Sequence, residues 1–150
     1  MPANKRSERF KPIHNIAQQR EDVAAQTLGR MQRELSDHHS KLSELKQYYQ
    51  DYVSRFNEQA VKGMSIIQVQ SYQNFISQLE TAITEQKRHI SRISDACDSS
   101  RADWTVERQK SQVLEKVIIR YQKQEQQVFN KQEQRSTDEF VSNHFWHKNK

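Results

Sequence analysis

Apolar side chains recur along this chain in alternating steps of three and four. Ala24, Leu28, Met31, Leu35, His38, Leu42, Leu45, Tyr49, Tyr52 and Phe56 follow that rhythm, and only His38 is polar. A second run reads Val69, Tyr72, Ile76, Leu79, Ile83, Gln86, Ile90, Ile93, Cys97, Ser100 and Trp104, with Gln86 and Ser100 as its polar interruptions. A repeat of about 3.5 residues keeps one stripe of a helix facing a partner helix, so both runs predict coiled coil. Between them residues 57–65 break the phase and contain Gly63, a helix-ending residue, followed by Ser65, a good N-cap. The pattern predicts a first helix over 12–57, opened by Pro12, a turn over 58–64 and a second helix over 65–140. Two long helices joined by a short turn must fold back on each other. The expected fold is all-α: an antiparallel coiled-coil hairpin over 12–143 whose second helix overhangs the first.

Two registers layer a positions against d positions. One sets Ala24 against Trp104 with the turn near Met64; the other sets Ala24 against Cys97 with the turn near residue 60. The first fills space better, indole against alanine, and places Gly63 at its apex. His38 in the seam then reads as a polar layer that helps to hold register.

Composition changes the picture in one respect. Only 33% of the residues are hydrophobic, against roughly 45–50% apolar in ordinary soluble domains. Two glycines and two prolines leave sheet folds without the turns they need. A core that is one narrow seam accounts for both figures. The net charge of +5 suggests nucleic acid until it is mapped. Lys5, Arg6, Arg9, Lys11 and Arg20 against Glu8 supply most of it, so it belongs to a flexible basic arm over 1–11 and its margin. No nucleic-acid partner is expected. Cys97 is single, which excludes an intrachain disulfide and fits a reducing compartment. No apolar run approaches a membrane span and no signal-peptide core is present, so the chain reads as cytoplasmic. Residues 144–150 read as a flexible C-terminus.

Chemistry is sparse. Two glycines cannot build a phosphate loop. His38 and His39 are adjacent and point apart on a helix; His144, His147 and Asp138 make only a weak metal pattern. No nucleophile–base–acid set is legible, and a two-helix hairpin has no enclosed pocket for one. No enzyme activity, cofactor or metal is expected. Apolar residues outside the a and d seam are more informative. Tyr48, Phe75 and Ala82 fall at g positions on one side of the hairpin, where Tyr48 and Phe75 are expected to be neighbours. With the rims of Leu45, Tyr52 and Leu79 they form an aromatic patch near the turn, a hot-spot candidate. If the first helix covers the second only to about residue 115, the stripe Leu114, Val117, Ile118, Tyr121 and Val128 is left without a partner.

The stretches Ala25-Gln26-Thr27-Leu28-Gly29-Arg30-Met31 and Ser71-Tyr72-Gln73-Asn74-Phe75-Ile76-Ser77-Gln78-Leu79-Glu80-Thr81-Ala82-Ile83 resemble the FliJ family of the flagellar type III export apparatus. Tyr48, Tyr52, Trp104, Leu114-Glu115 and the late Glu133-Gln134-Arg135-Ser136-Thr137-Asp138-Glu139-Phe140 fit the same family over residues 14–142. The resemblance implies a two-helix stalk that binds the export ATPase hexamer and promotes its assembly. It further implies contact with the cytoplasmic part of the export-gate membrane protein, handling of export chaperones, and peripheral association with the inner membrane at the flagellar base. The family's gate-binding surface falls on Leu45, Tyr48, Tyr52, Phe75, Leu79 and Ala82. Lys41 and Gln86 depart from the family's glutamine and histidine at its margin. The stalk analogy assigns Leu114, Val117, Ile118, Tyr121 and Val128 to the ATPase ring. The injectisome stalk shares this architecture. A scaffold-type parallel homodimer would instead set His38 against His38 and Gln86 against Gln86.

Overall fold

Two helices make up almost all of the described residues, 5–148, of this computed structural model: α1 (Arg6–Lys62) and α2 (Ile66–Lys148). Among the described residues there is no strand. The loop between the helices is shorter than the expected 58–64. Gly63 adopts a φ of 97°, where a side chain would be strained, and its amide donates to the Ala60 carbonyl at 3.3 Å. Ser65 then opens α2 with a reciprocal cap. Its hydroxyl accepts the Gln68 amide and the Gln68 side chain accepts the Ser65 amide, each at 3.2 Å. Both helix ends are satisfied locally, so residues 58–62 stay helical and only residues 63–65 turn.

The chain divides into two compact units. In the first, Ala24–Trp104, α1 and α2 pair antiparallel. Phe56 meets Tyr72 at 5.9 Å between ring centroids, Tyr52 meets Phe75 at 4.3 Å, and the Tyr49 hydroxyl donates to Glu80 at 3.2 Å. Hydrogen bonding to the Glu80 carboxylate, with the repulsion of its charge, holds the Tyr49 phenol above its ordinary pKa. These pairs match the register that sets Ala24 near Trp104. Leu28, Leu79, Ile90 and Cys97 are buried, while most other seam positions stay half-buried because each helix has only one neighbour.

The polar interruptions of the two seams meet each other. Gln86 is buried, and its amide donates to the His38 carbonyl at 3.0 Å while lying 3.0 Å from Nδ1 of the same residue. His38 also stands edge-on to His89, with ring centroids 4.5 Å apart. Ser100 donates to the Met31 sulfur at 3.2 Å. A buried polar group left unmatched costs about 1–3 kcal/mol, so a slip in register that separated His38 from Gln86 would be penalised. The pairing of His38 with Gln86 in one chain differs from the parallel homodimer alternative, which needs His38 opposite His38.

The second unit joins residues 5–23 to residues 105–148, and here the structure corrects the sequence expectation. Residues 6–11 belong to α1 rather than to a flexible arm, and α2 runs to Lys148 rather than stopping near 140. Residues 1–4 of the expected arm and 149–150 of the expected C-terminus lie outside the described residues. The first amides of a helix lack intrahelical partners, and α1 finds one for Ser7 on the other helix. The Ser7 amide donates to Glu125 Oε1 at 3.2 Å and its hydroxyl to Oε2 at 2.6 Å. Phe10 stacks on Tyr121 at 5.6 Å and the Arg6 guanidinium lies 5.7 Å over the same ring. These contacts offset Pro12, which sits inside α1 and removes a backbone donor there.

The Glu125 cap carries a pH prediction. Chiefly the Ser7 hydroxyl, helped by the Ser7 amide, Lys5 and Lys11 against partial burial, lowers the Glu125 carboxyl below its ordinary pKa. A folded-state pKa below the unfolded value stabilises above the unfolded pKa and loses that contribution as pH falls through the lowered value. Acidification below the usual carboxylate range is therefore expected to shift the Ser7 amide resonance in NMR spectra. Glu125→Ala should show a released Ser7 resonance at neutral pH, with the ordered start of α1 retreating towards Pro12. A Ser7 amide that stays protected in Glu125→Ala would refute the cap.

Candidate functional site

The residues of the expected aromatic patch all lie within Ala24–Trp104. Tyr48 is 55% and Phe75 39% exposed. The Phe75 ring meets Tyr52, tilted at 41° with centroids 4.3 Å apart. Tyr52 is a d residue turned into the seam, half-buried, and Arg55 lies 5.5 Å over its face. Leu45 and Ala82 are half-buried. Leu79 is buried, with 8% of its surface exposed, so it supports the patch from below and offers a partner almost no area.

Beside the patch runs an open groove of about 600 Å³ that includes Leu45 and Ala82 together with Lys41, Gln86, Arg88 and Arg92. Lys41 and Gln86 thus lie in one groove and play different parts. Lys41 is exposed and adds a cation to the rim, whereas Gln86 is buried and spends its amide on His38. The apolar centre is flanked by a predominantly basic margin, with Glu85 as the acid in the lining.

The stripe assigned to the ATPase is not left bare. Ile118 is buried, and Leu114, Val117 and Tyr121 are half-buried, because α1 starts at Arg6 and covers α2 beyond residue 115. Only Val128 of the five is well exposed, and Phe129 beside it is exposed too. The sequence reading missed this cover although a signal was present. The steps of three and four continue from Phe56 back through Glu21, Ala17, His14 and Phe10 to Ser7. They continue on α2 through Glu107, Ser111, Leu114, Ile118, Tyr121 and Glu125 to Val128. The polar character of these positions hid the phase. Ser7 and Ser111 are buried, and Glu107 Oε2 is sealed from solvent without a hydrogen-bond partner.

Among the described residues no group of three or more histidine, cysteine or acidic side chains could hold a metal ion, and His144 stacks on Phe140. No helix among them is long and apolar enough to cross a membrane.

Comparison with known proteins matches residues 6–150 to the family model described as flagellar FliJ protein. The chain is 25% identical to the flagellar FliJ protein of Escherichia coli K12 over 129 residues, covering 86% of this chain and 88% of that one. It is 26% identical to the flagellar FliJ protein of Salmonella typhi over the same shares. No solved structure gives a significant match. With its two helices paired and the family model spanning nearly all of it, the chain belongs to the FliJ family and is a flagellar, export-related protein.

Proposed function

We propose that this chain is a non-enzymatic component of the flagellar type III protein export apparatus, working in the cytoplasm at the inner-membrane base of the flagellum. It binds the export ATPase ring and promotes its assembly, links the ring to the export-gate membrane protein, and escorts export chaperones. The observation that carries this reading is the exposed pair Tyr48 and Phe75, seated outside the a and d seam. Phe75 packs on Tyr52 and still leaves 39% of its surface exposed, and Tyr48 leaves 55%; an interface gains most from such aromatic anchors. Tyr48, Tyr52, Phe75 and Ala82, with the rim of Leu45, form the contact surface for the gate, and Leu79 holds it in place. Promotion of ring assembly follows from mass action, since a partner that binds only the assembled hexamer stabilises it. On the ring side Val128 supplies exposed surface, while Leu114, Val117, Ile118 and Tyr121 hold the segment that presents it.

The gate contact is tested by Tyr48→Ala combined with Phe75→Ala. Both side chains are substantially exposed, so the variant should keep its helicity. Loss of two anchors is expected to weaken binding to the cytoplasmic part of the gate protein by roughly thirty-fold, about 2 kcal/mol, in a titration. Swimming in soft agar should be lost with it. Normal swimming and unchanged gate binding would sink the proposed contact.

A further inference from the structure

The unit built from residues 5–23 and 105–148 carries a second set of apolar residues outside the a and d seam, most of them exposed. On α1, Ile13, Ile16, Arg20 and Val23 are spaced three, four and three. On α2, Val106, Lys110, Val113 and Val117 are spaced four, three and four. None of these is an a or d residue of the seam that joins the helices. Ile13, Ile16, Val23, Val106 and Val113 are 48–62% exposed. Ile13, Ile16, Val106 and Val113 line one open groove of about 600 Å³, with Ala17 and Leu114 beneath them. We propose that this groove seats a third helix: a single amphipathic α-helix of a partner protein, apolar on the inserted face and acidic along its margins.

The spacing specifies a helix as the occupant. Steps of three and four on two neighbouring helices are the complement of a helix that repeats in the same way, whereas an extended strand repeats every two residues. Binding of an amphipathic helix in a hydrophobic groove needs such anchors on both walls. The charges select an acidic partner. Arg20 and Lys110 occupy one slot in each second seam and also line the groove. Glu107, the acid in the lining, is a d residue of the first seam and lies 3.8 Å from an exposed Lys110. A second copy of this chain is disfavoured, since a two-fold contact would set a groove edged by Arg20 and Lys110 against a copy carrying the same cations. Of the stripe proposed to face the ATPase ring, Val117 belongs to the second seam and Leu114 lies beneath the groove, whereas Val128, its exposed member, is in neither. The groove therefore makes a claim separate from the ring and gate contacts.

The test uses the full chain and two synthetic three-heptad peptides with leucine at a and d, one carrying glutamate and the other lysine at e and g. Fluorescence anisotropy should show the glutamate peptide binding about tenfold or more tightly than the lysine peptide. Val113→Asp, an exposed substitution, should weaken that binding about tenfold with little change in melting temperature. Arg20→Glu combined with Lys110→Glu should reverse the preference between the peptides. Equal binding of both peptides, binding by neither, or binding indifferent to Val113→Asp would overturn the proposal. So would a concentration-dependent dimer abolished by Val113→Asp, which would assign the groove to a second copy.

Discussion

A chain that stops at Ser111 is expected to keep the pairing of Ala24–Trp104 and to lose all stimulation of the export ATPase. The cut removes Val128, the exposed apolar residue proposed to meet the ring. It also removes Tyr121 and Glu125, which hold Phe10 and Ser7 at the start of α1. Circular dichroism should still show a cooperative melt, because Leu28, Leu79, Ile90, Cys97 and the His38–Gln86 layer lie within the retained unit. ATPase turnover with and without the truncated chain is the measurement. Stimulation equal to that by the full chain would refute the assignment of the ring contact to this part of α2. Val128→Asp in the full chain separates two ways of succeeding. If it too loses stimulation, the exposed surface acts directly. If it does not, the ordered pairing of residues 6–21 on α2 is what the ring requires.

Leu79→Ala is expected to lower stability by about 3 kcal/mol, because a buried leucine is removed from a seam with no second layer to close over the cavity. For a chain of this length that corresponds to a fall in Tm of about 6–12 °C. The same change should impair swimming through loss of folded protein, even though Leu79 presents little surface to the gate. Leu79→Met, which conserves volume, should restore both, since such swaps usually cost less than about 1.5 kcal/mol. Thermal melts beside soft-agar assays decide the matter. A Leu79→Ala chain that melts normally but fails to bind the gate would show that Leu79 is itself a contact residue. Tyr48 and Phe75 predict the opposite pattern, with function lost and stability nearly kept.

What could be read from the residues depended on how far apart the interacting groups lie. Gly63 and Ser65 act on amides and carbonyls within a few positions, and the turn was legible from them. The seams were legible wherever leucine, isoleucine and aromatics mark them, but the spacing left two registers, and the meeting of Phe56 with Tyr72 decides between them. The start of α1 was not. Its cap, Glu125, is 118 residues from Ser7, and no local pattern announces a carboxylate that arrives on another helix. Pro12 looked like a first-turn residue for the same reason. At the patch, spacing does not decide which ring leans onto which, and the contact of Tyr52 with Phe75 was not legible. The second seam lay in plain view at Ile13, Ile16, Val106 and Val113. It gained meaning only once the first seam was shown to run through Ser7 and Glu125 and to leave these residues outside.

The single-neighbour packing of α1 on α2 has a consequence for descent. Only two positions in seven face the partner helix, about 29% of a heptad. Substitution on the remaining surface meets little resistance from the fold, so ancestry in such a protein fades quickly. In a protein of this kind kinship is carried by rhythm more than by spelling, and relatives only 25–26% identical can share the pairing.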